Sequence, residues 1–113
     1  MLIYKIFRSP EWAAFEAAGS TPGAPVDLAD GFIHFSTAEQ ARETAAKHFA
    51  GEAGLVLVAV EVDRLGTDLR WEPSRGGALF PHLYRELDAT DVAWTEPLPL
   101  GSNGAHDFPG AMT

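Results

Sequence analysis

The sequence predicts an α+β fold, and three observations carry that reading. Two segments in the first half, near residues 9–18 and 36–49, have helical periodicity and helix-start signals. A continuous apolar run, Leu55-Val56-Leu57-Val58-Ala59-Val60-Glu61-Val62, reads as a central strand covered on both faces. Beyond it the chain breaks into short β-rich pieces separated by turn residues, so helices come first and strands dominate afterwards. At 113 residues this is one domain with one modest core, predicted over 1–100.

Leu2 to Phe7 is rich in branched and aromatic residues and reads as the first strand. Ser9-Pro10-Glu11 opens a helix, with Ser9 as the cap, Pro10 at the first turn and Glu11 at the positive helix end; Trp12, Phe15 and Ala18 form its apolar stripe, and Gly19 ends it. Residues 19–30 are rich in breakers and predict a loop or short edge element. Gly31 to Phe35 predicts a short strand. Ser36-Thr37-Ala38-Glu39 then has capping-box spacing, with Ser36 as the cap. The helix after it runs to about Phe49, with Ala38, Ala41, Ala45 and Phe49 as its stripe and Glu43–Lys47 as an i,i+4 pair. Further strands are predicted at Asp68–Glu72, Leu83–Leu87 and Asp91–Glu96. The segment 101–113 is small and polar and predicts a loosely ordered tail.

Composition narrows function. There is no cysteine, which removes thiolate catalysis, thiolate metal sites and disulfides. The start, Met1 to Arg8, is too short and too interrupted for a signal peptide or membrane span, and a reducing cytoplasm fits the whole. A net charge of −8 speaks against broad nucleic-acid binding, which needs a basic face. No metal is expected, because His34, His48, His82 and His106 lack ligand spacing.

Against this acidic background, Arg70 to Arg85 holds three arginines and one acid, while the rest of the chain holds five bases and fifteen acids. A positive island of this kind is a candidate site for a small anionic ligand. Within it, Arg75 can grip a phosphate or carboxylate in bidentate fashion, Gly76-Gly77 permits close backbone approach, and Trp71 can stack on a planar ring. His82 and Tyr84 share a face if they lie on a strand, where they can do acid–base chemistry or hold a base and a ribose. His34 ends a strand where a capped helix begins, a junction rich in free backbone N–H groups. Each feature also has a plain structural reading: a half-buried core histidine at 34, a committed cap at Ser36, a surface loop at Trp71–Gly77, an aromatic core strand at Leu79–Tyr84.

Three segments, Asp30-Gly31-Phe32-Ile33-His34-Phe35-Ser36-Thr37-Ala38-Glu39-Gln40, Arg70-Trp71-Glu72 and Gly76-Gly77-Ala78-Leu79-Phe80-Pro81-His82-Leu83-Tyr84, together with the opening strand, resemble the bacterial domain of unknown function 952 family. The resemblance covers the chain to about Leu100. It implies a fold similar to the ADP-ribosyltransferases: a small split β-sheet core with two helices and a cleft sized for NAD. His34-Phe35-Ser36 also resembles the His-x-Ser segment of RNA 2′-phosphotransferases, which share that fold. By this resemblance His34 holds a ribose, Ser36 orients it, Tyr84 or Trp71 stacks on a ring and Arg75 meets a pyrophosphate. Many transferases of the fold add a late glutamate to stabilise an oxocarbenium-like centre; Glu86 and Glu72 are the candidates here, and neither sits in a recognisable motif.

The expectation is thus a domain that binds NAD or a related nucleotide through His34, Ser36, Trp71, Arg75, Gly76, Gly77, His82 and Tyr84. Transfer chemistry, if present, falls to His34 with Glu86 or Glu72. Two alternatives stay open: a non-catalytic sensor of a small anionic metabolite in the same pocket, and a protein-interaction domain in which Trp71, Phe80 and Tyr84 form an exposed aromatic patch.

Overall fold

The apolar strand that opens the chain, β1 (Leu2–Arg8), pairs antiparallel with β4 (Leu55–Glu61), and β4 pairs in turn with β8 (Val92–Leu98). The computed structural model that gives this arrangement describes residues 1–112, without the side chains of Arg75 and Ala111. As the unbroken run at 55–62 predicts, β4 is the central strand: Val58 and Val60 face one apolar cluster, with Phe7, Phe15 and Ile33, while Leu55, Leu57 and Ala59 face another, with Ala41, Ala45 and Leu98. A second three-stranded sheet has the order β3 (Ile33–His34), β6 (Leu79–Leu83), β5 (Leu69–Pro73), and a two-residue ribbon joins β2 (Ser20–Thr21) to β7 (Leu87–Asp88); every pairing is antiparallel. The two larger sheets meet where Tyr4 and Ser36 exchange backbone hydrogen bonds of 2.8 Å.

Three α-helices accompany the strands, one more than the sequence predicts: α1 (Ser9–Ala18), α2 (Pro25–Asp30) and α3 (Ala38–His48). The extra helix lies in the breaker-rich stretch. Pro25 presets its first turn, the Asp27 carboxylate accepts the Ala24 N–H at 2.7 Å, and Gly31 ends it with φ of 85°. Six residues are too few to show a helical stripe, so periodicity could not reveal it.

The caps also differ from expectation. Arg8 precedes α1, with Glu11 accepting the Arg8 N–H at 2.9 Å, and Ser9 Oγ instead donates to the Gly54 carbonyl. Thr37, not Ser36, caps α3: its Oγ1 accepts the Gln40 N–H at 3.2 Å, and Gln40 Oε1 accepts the Thr37 N–H at 3.0 Å. Ser36 is freed from capping because it is bridged to β1. The stripe of Ala41 and Ala45 is buried as predicted, and Lys47 lies 3.1 Å from Glu43. On α1 Phe15 is buried, whereas Ala18 is exposed.

The strand predicted at Leu83–Leu87 forms earlier, at Leu79–Leu83, with Pro81 inside it. Pro81 accepts the Phe35 N–H at 3.0 Å but has no N–H to return, so the β3–β6 ladder stops at His34. The segment after residue 100, expected to be a loose tail, carries Met112 into the cluster beside α3 and sets His106 Nε2 2.7 Å from the Glu52 carbonyl.

Candidate functional site: two carboxylate-backed histidines on one cavity

The register of the second sheet builds the site. β3 and β6 place His34 directly opposite His82, with Ile33 and Leu83 opposite each other and turned into the core. Alternation then sends both imidazoles to the other face. Their ring centroids are 5.4 Å apart, and the Phe32 ring lies against both, 4.6 Å from His34 and 4.2 Å from His82.

Each histidine is oriented by its own carboxylate. Asp27, fully buried on α2, sets Oδ1 2.6 Å from His34 Nδ1 and accepts the His34 backbone N–H at 3.0 Å; its Oδ2 pairs with the buried Lys5 ammonium at 2.9 Å. Asp30, one turn later, lies 2.9 Å from His34 Nε2. Burial pushes the Asp27 carboxyl up, but the hydrogen bond from His34 and the Lys5 charge outweigh it and hold the group below the usual carboxylate range. Glu72 on β5 accepts from the Tyr84 hydroxyl at 2.6 Å and lies 2.8 Å from His82 Nδ1. Those two hydrogen bonds draw Glu72 below its ordinary pKa, and the Glu72 carboxylate in turn raises the Tyr84 phenol.

A cavity of about 540 Å³ opens between β1, α2, α3 and the histidine face. Lys5, His34, Ser36, Ser74, Phe80 and His82 are among the residues that line it. Its size is ordinary for a small-molecule or cofactor site, and its wall mixes aromatic surface with convergent polar groups. Ser36 Oγ lies 2.9 Å from Thr44 Oγ1, so its hydroxyl is held by α3 at the cavity wall. Among the described residues no group of three or more His, Asp and Glu is placed to hold a metal ion.

The structure gathers some predicted residues and separates others. His34, Ser36 and His82 share the cavity; Glu72 and Tyr84 stand behind His82. Trp71 alternates with Arg70 and Glu72 along β5, so it projects from the opposite face of the sheet and is exposed. The three rings of the expected aromatic patch do not assemble, because Phe80 is buried and Trp71 and Tyr84 lie on different faces. Gly76 and Gly77 form the tip of the β5–β6 hairpin, both at positive φ (67° and 82°). The Arg75 side chain lies outside the described residues. Glu86 is exposed and off the cavity, and its carbonyl accepts from Arg85. Arg85 pairs with Asp91 at 2.9 Å, not with the Glu86 side chain, and the Arg70 guanidinium sits 4.6 Å from the centre of the Tyr84 ring.

Sequence reasoning missed Lys5, Asp27 and Asp30. Lys5 carried a readable signal: a lysine between Tyr4 and Ile6 in an apolar strand has to find a buried partner. Asp27 and Asp30 share a face only once α2 forms, and nothing local announced it.

The fold and site thus define a small α+β domain with three helices and several antiparallel sheets, built around a cavity walled by two carboxylate-backed histidines. The chain belongs to the family described as Protein of unknown function (DUF952), matched over residues 6–95. It is similar to the Caulobacter crescentus protein CC0527. A crystal structure of that protein is 56% identical, covers 95% of this chain and 94% of its own, and has a TM-score of 0.91. Its solution NMR structure is 58% identical over 92% of this chain and 90% of its own, with a TM-score of 0.84. No curated protein matches the chain. Among the described residues no helix is long and apolar enough to cross a membrane.

Proposed function

We propose that the cavity binds a nucleotide of the NAD or ADP-ribose class, in a cytoplasmic domain whose fold is of the ADP-ribosyltransferase type. The observation that carries this reading is the convergence of His34 and His82, cross-strand neighbours, on one cavity of about 540 Å³. Imidazoles and hydroxyls suit ribose and phosphate oxygens, and Phe80 supplies apolar surface for a base. In this reading His34 and Ser36 meet the ribose and His82 meets the adjoining phosphate. Group transfer follows binding, at either the ribosyl carbon or phosphorus.

The test is a thermal-shift panel of NAD, ADP-ribose, AMP, nicotinamide and inorganic phosphate. At about 100 times its dissociation constant a ligand adds roughly 2.7 kcal/mol, which raises the midpoint by several degrees for a domain of this size. The expected result is a shift with NAD or ADP-ribose that is lost in His34→Ala. Equal midpoints with and without every nucleotide would remove the reading.

A further inference from the structure

We infer that His82 Nε2, not His34, is the proton-accepting atom of this cavity, and that it serves attack of a hydroxyl or water on phosphorus; this rests on the nucleotide-binding reading above.

The two histidines look alike in sequence but differ in their free atoms. His34 has a carboxylate oxygen at each ring nitrogen, Asp27 at 2.6 Å and Asp30 at 2.9 Å. With a carboxylate oxygen at each nitrogen, that ring has no free nitrogen to offer a ligand. His82 has one carboxylate, Glu72, at Nδ1, and its Nε2 meets no hydrogen-bonding partner among the described residues while the ring lines the cavity. With the proton on Nδ1, where Glu72 accepts it, the Nε2 lone pair faces the ligand space. Glu72 is therefore a positioning residue, steadied in turn by the Tyr84 hydroxyl.

The carboxylates decide the electrophile. Ribosyl transfer passes through a cationic sugar that an anionic group must face. Around this cavity Asp27 is sealed beneath Lys5 and His34, Asp30 lines the wall with Oδ2 held 2.9 Å from His34 Nε2, Glu72 is shared by His82 and Tyr84, and Glu86 is elsewhere. Beside Asp30 the wall carries Lys5, Ser36 and Ser74, an ammonium and two hydroxyls that can donate. Such groups suit the negative charge that gathers on phosphoryl oxygens. In the step, His82 Nε2 takes the proton of the attacking O–H as that oxygen bonds to phosphorus. The bond from phosphorus to the leaving oxygen breaks with its electron pair, and His82 returns the proton to that oxygen. No electron is exchanged with an outside oxidant or reductant.

NAD is the discriminating probe because it carries both bonds. Attack of water at its pyrophosphate gives AMP and nicotinamide mononucleotide; attack at the ribosyl carbon gives nicotinamide and ADP-ribose. The expected result with the full chain is a thermal shift together with AMP. His82→Asn should keep the shift and lose about 10²-fold or more in rate. Glu72→Gln should lower kcat with KM unchanged and displace the acid limb of the pH profile. Diethyl pyrocarbonate, which acylates unprotonated imidazole nitrogen, needs no variant: on the parent protein it should label His82 before His34. A shift without AMP, nicotinamide as the product, or prior labelling of His34 would overturn this inference alone. The absence of any shift would instead remove the binding reading beneath it.

Discussion

Asp27 receives four donors on two oxygens: the His34 backbone N–H and ring Nδ1 on one, the Ala24 N–H and the Lys5 ammonium on the other. That explains how a fully buried carboxylate survives, since every lone pair that matters is used. Removing its charge leaves Lys5, itself buried, without a counter-ion. Asp27→Asn should therefore cost about 3–5 kcal/mol by urea unfolding. The same residue sets an acid limb. Its folded pKa lies below the ordinary value near 3.9, so the unfolded chain binds the proton first as pH falls. Its stabilisation is complete above that ordinary value and is lost as pH drops through the lower folded one. A plot of stability against pH should show a shallower acid limb in Asp27→Asn than in the parent. At this scale the sequence told half the story. His34, Ser36, His82 and Tyr84 stood out by residue type, whereas Asp27 lay among turn residues, where an aspartate is unremarkable.

At the scale of elements, the long and periodic pieces were legible and the short ones were not. β1, β4, α1 and α3 declare themselves through alternation, an unbroken apolar run, or a stripe with a start signal. α2 is shorter than two helical turns and is defined by its contacts: Asp27 and Asp30 clamp it to His34, and Gly23 lets the chain pass over Asp27. A Cβ at Gly23 would fall 2.4 Å from Asp27 Oδ2, and the backbone there has a φ of 107°, a region that L-residues avoid. Gly23→Ala should cost about 1–2 kcal/mol from backbone conformation alone, with the clash added to it. An equal midpoint in thermal unfolding would mean that α2 does not depend on this close approach. β6 shows the opposite lesson. Pro81 argues against a central strand, yet the strand forms because β3 beside it is only two residues long and asks nothing of the missing N–H.

At the scale of the whole molecule, two separate three-stranded sheets are stitched at Tyr4 and Ser36, and the cavity opens beside that seam. An apparent cationic island in the sequence is largely dispersed by folding: Arg85 is spent on Asp91 and Asp68, and Arg70 covers Tyr84. The polar residues that line the cavity come from distant parts of the chain, Lys5 from β1 and the histidines from β3 and β6. Cross-strand register is a long-range property with no local signal, so the sequence could name both histidines without showing that they meet. The central claim is that this meeting place is a nucleotide site. The most direct measurement is a nitrogen–proton NMR titration of the histidine side chains with ADP-ribose. The ring signals of His82 and His34 should move together and saturate, while those of His106, bonded to the Glu52 carbonyl away from the cavity wall, stay in place. Unmoved His82 and His34 signals at saturating ADP-ribose would contradict that claim.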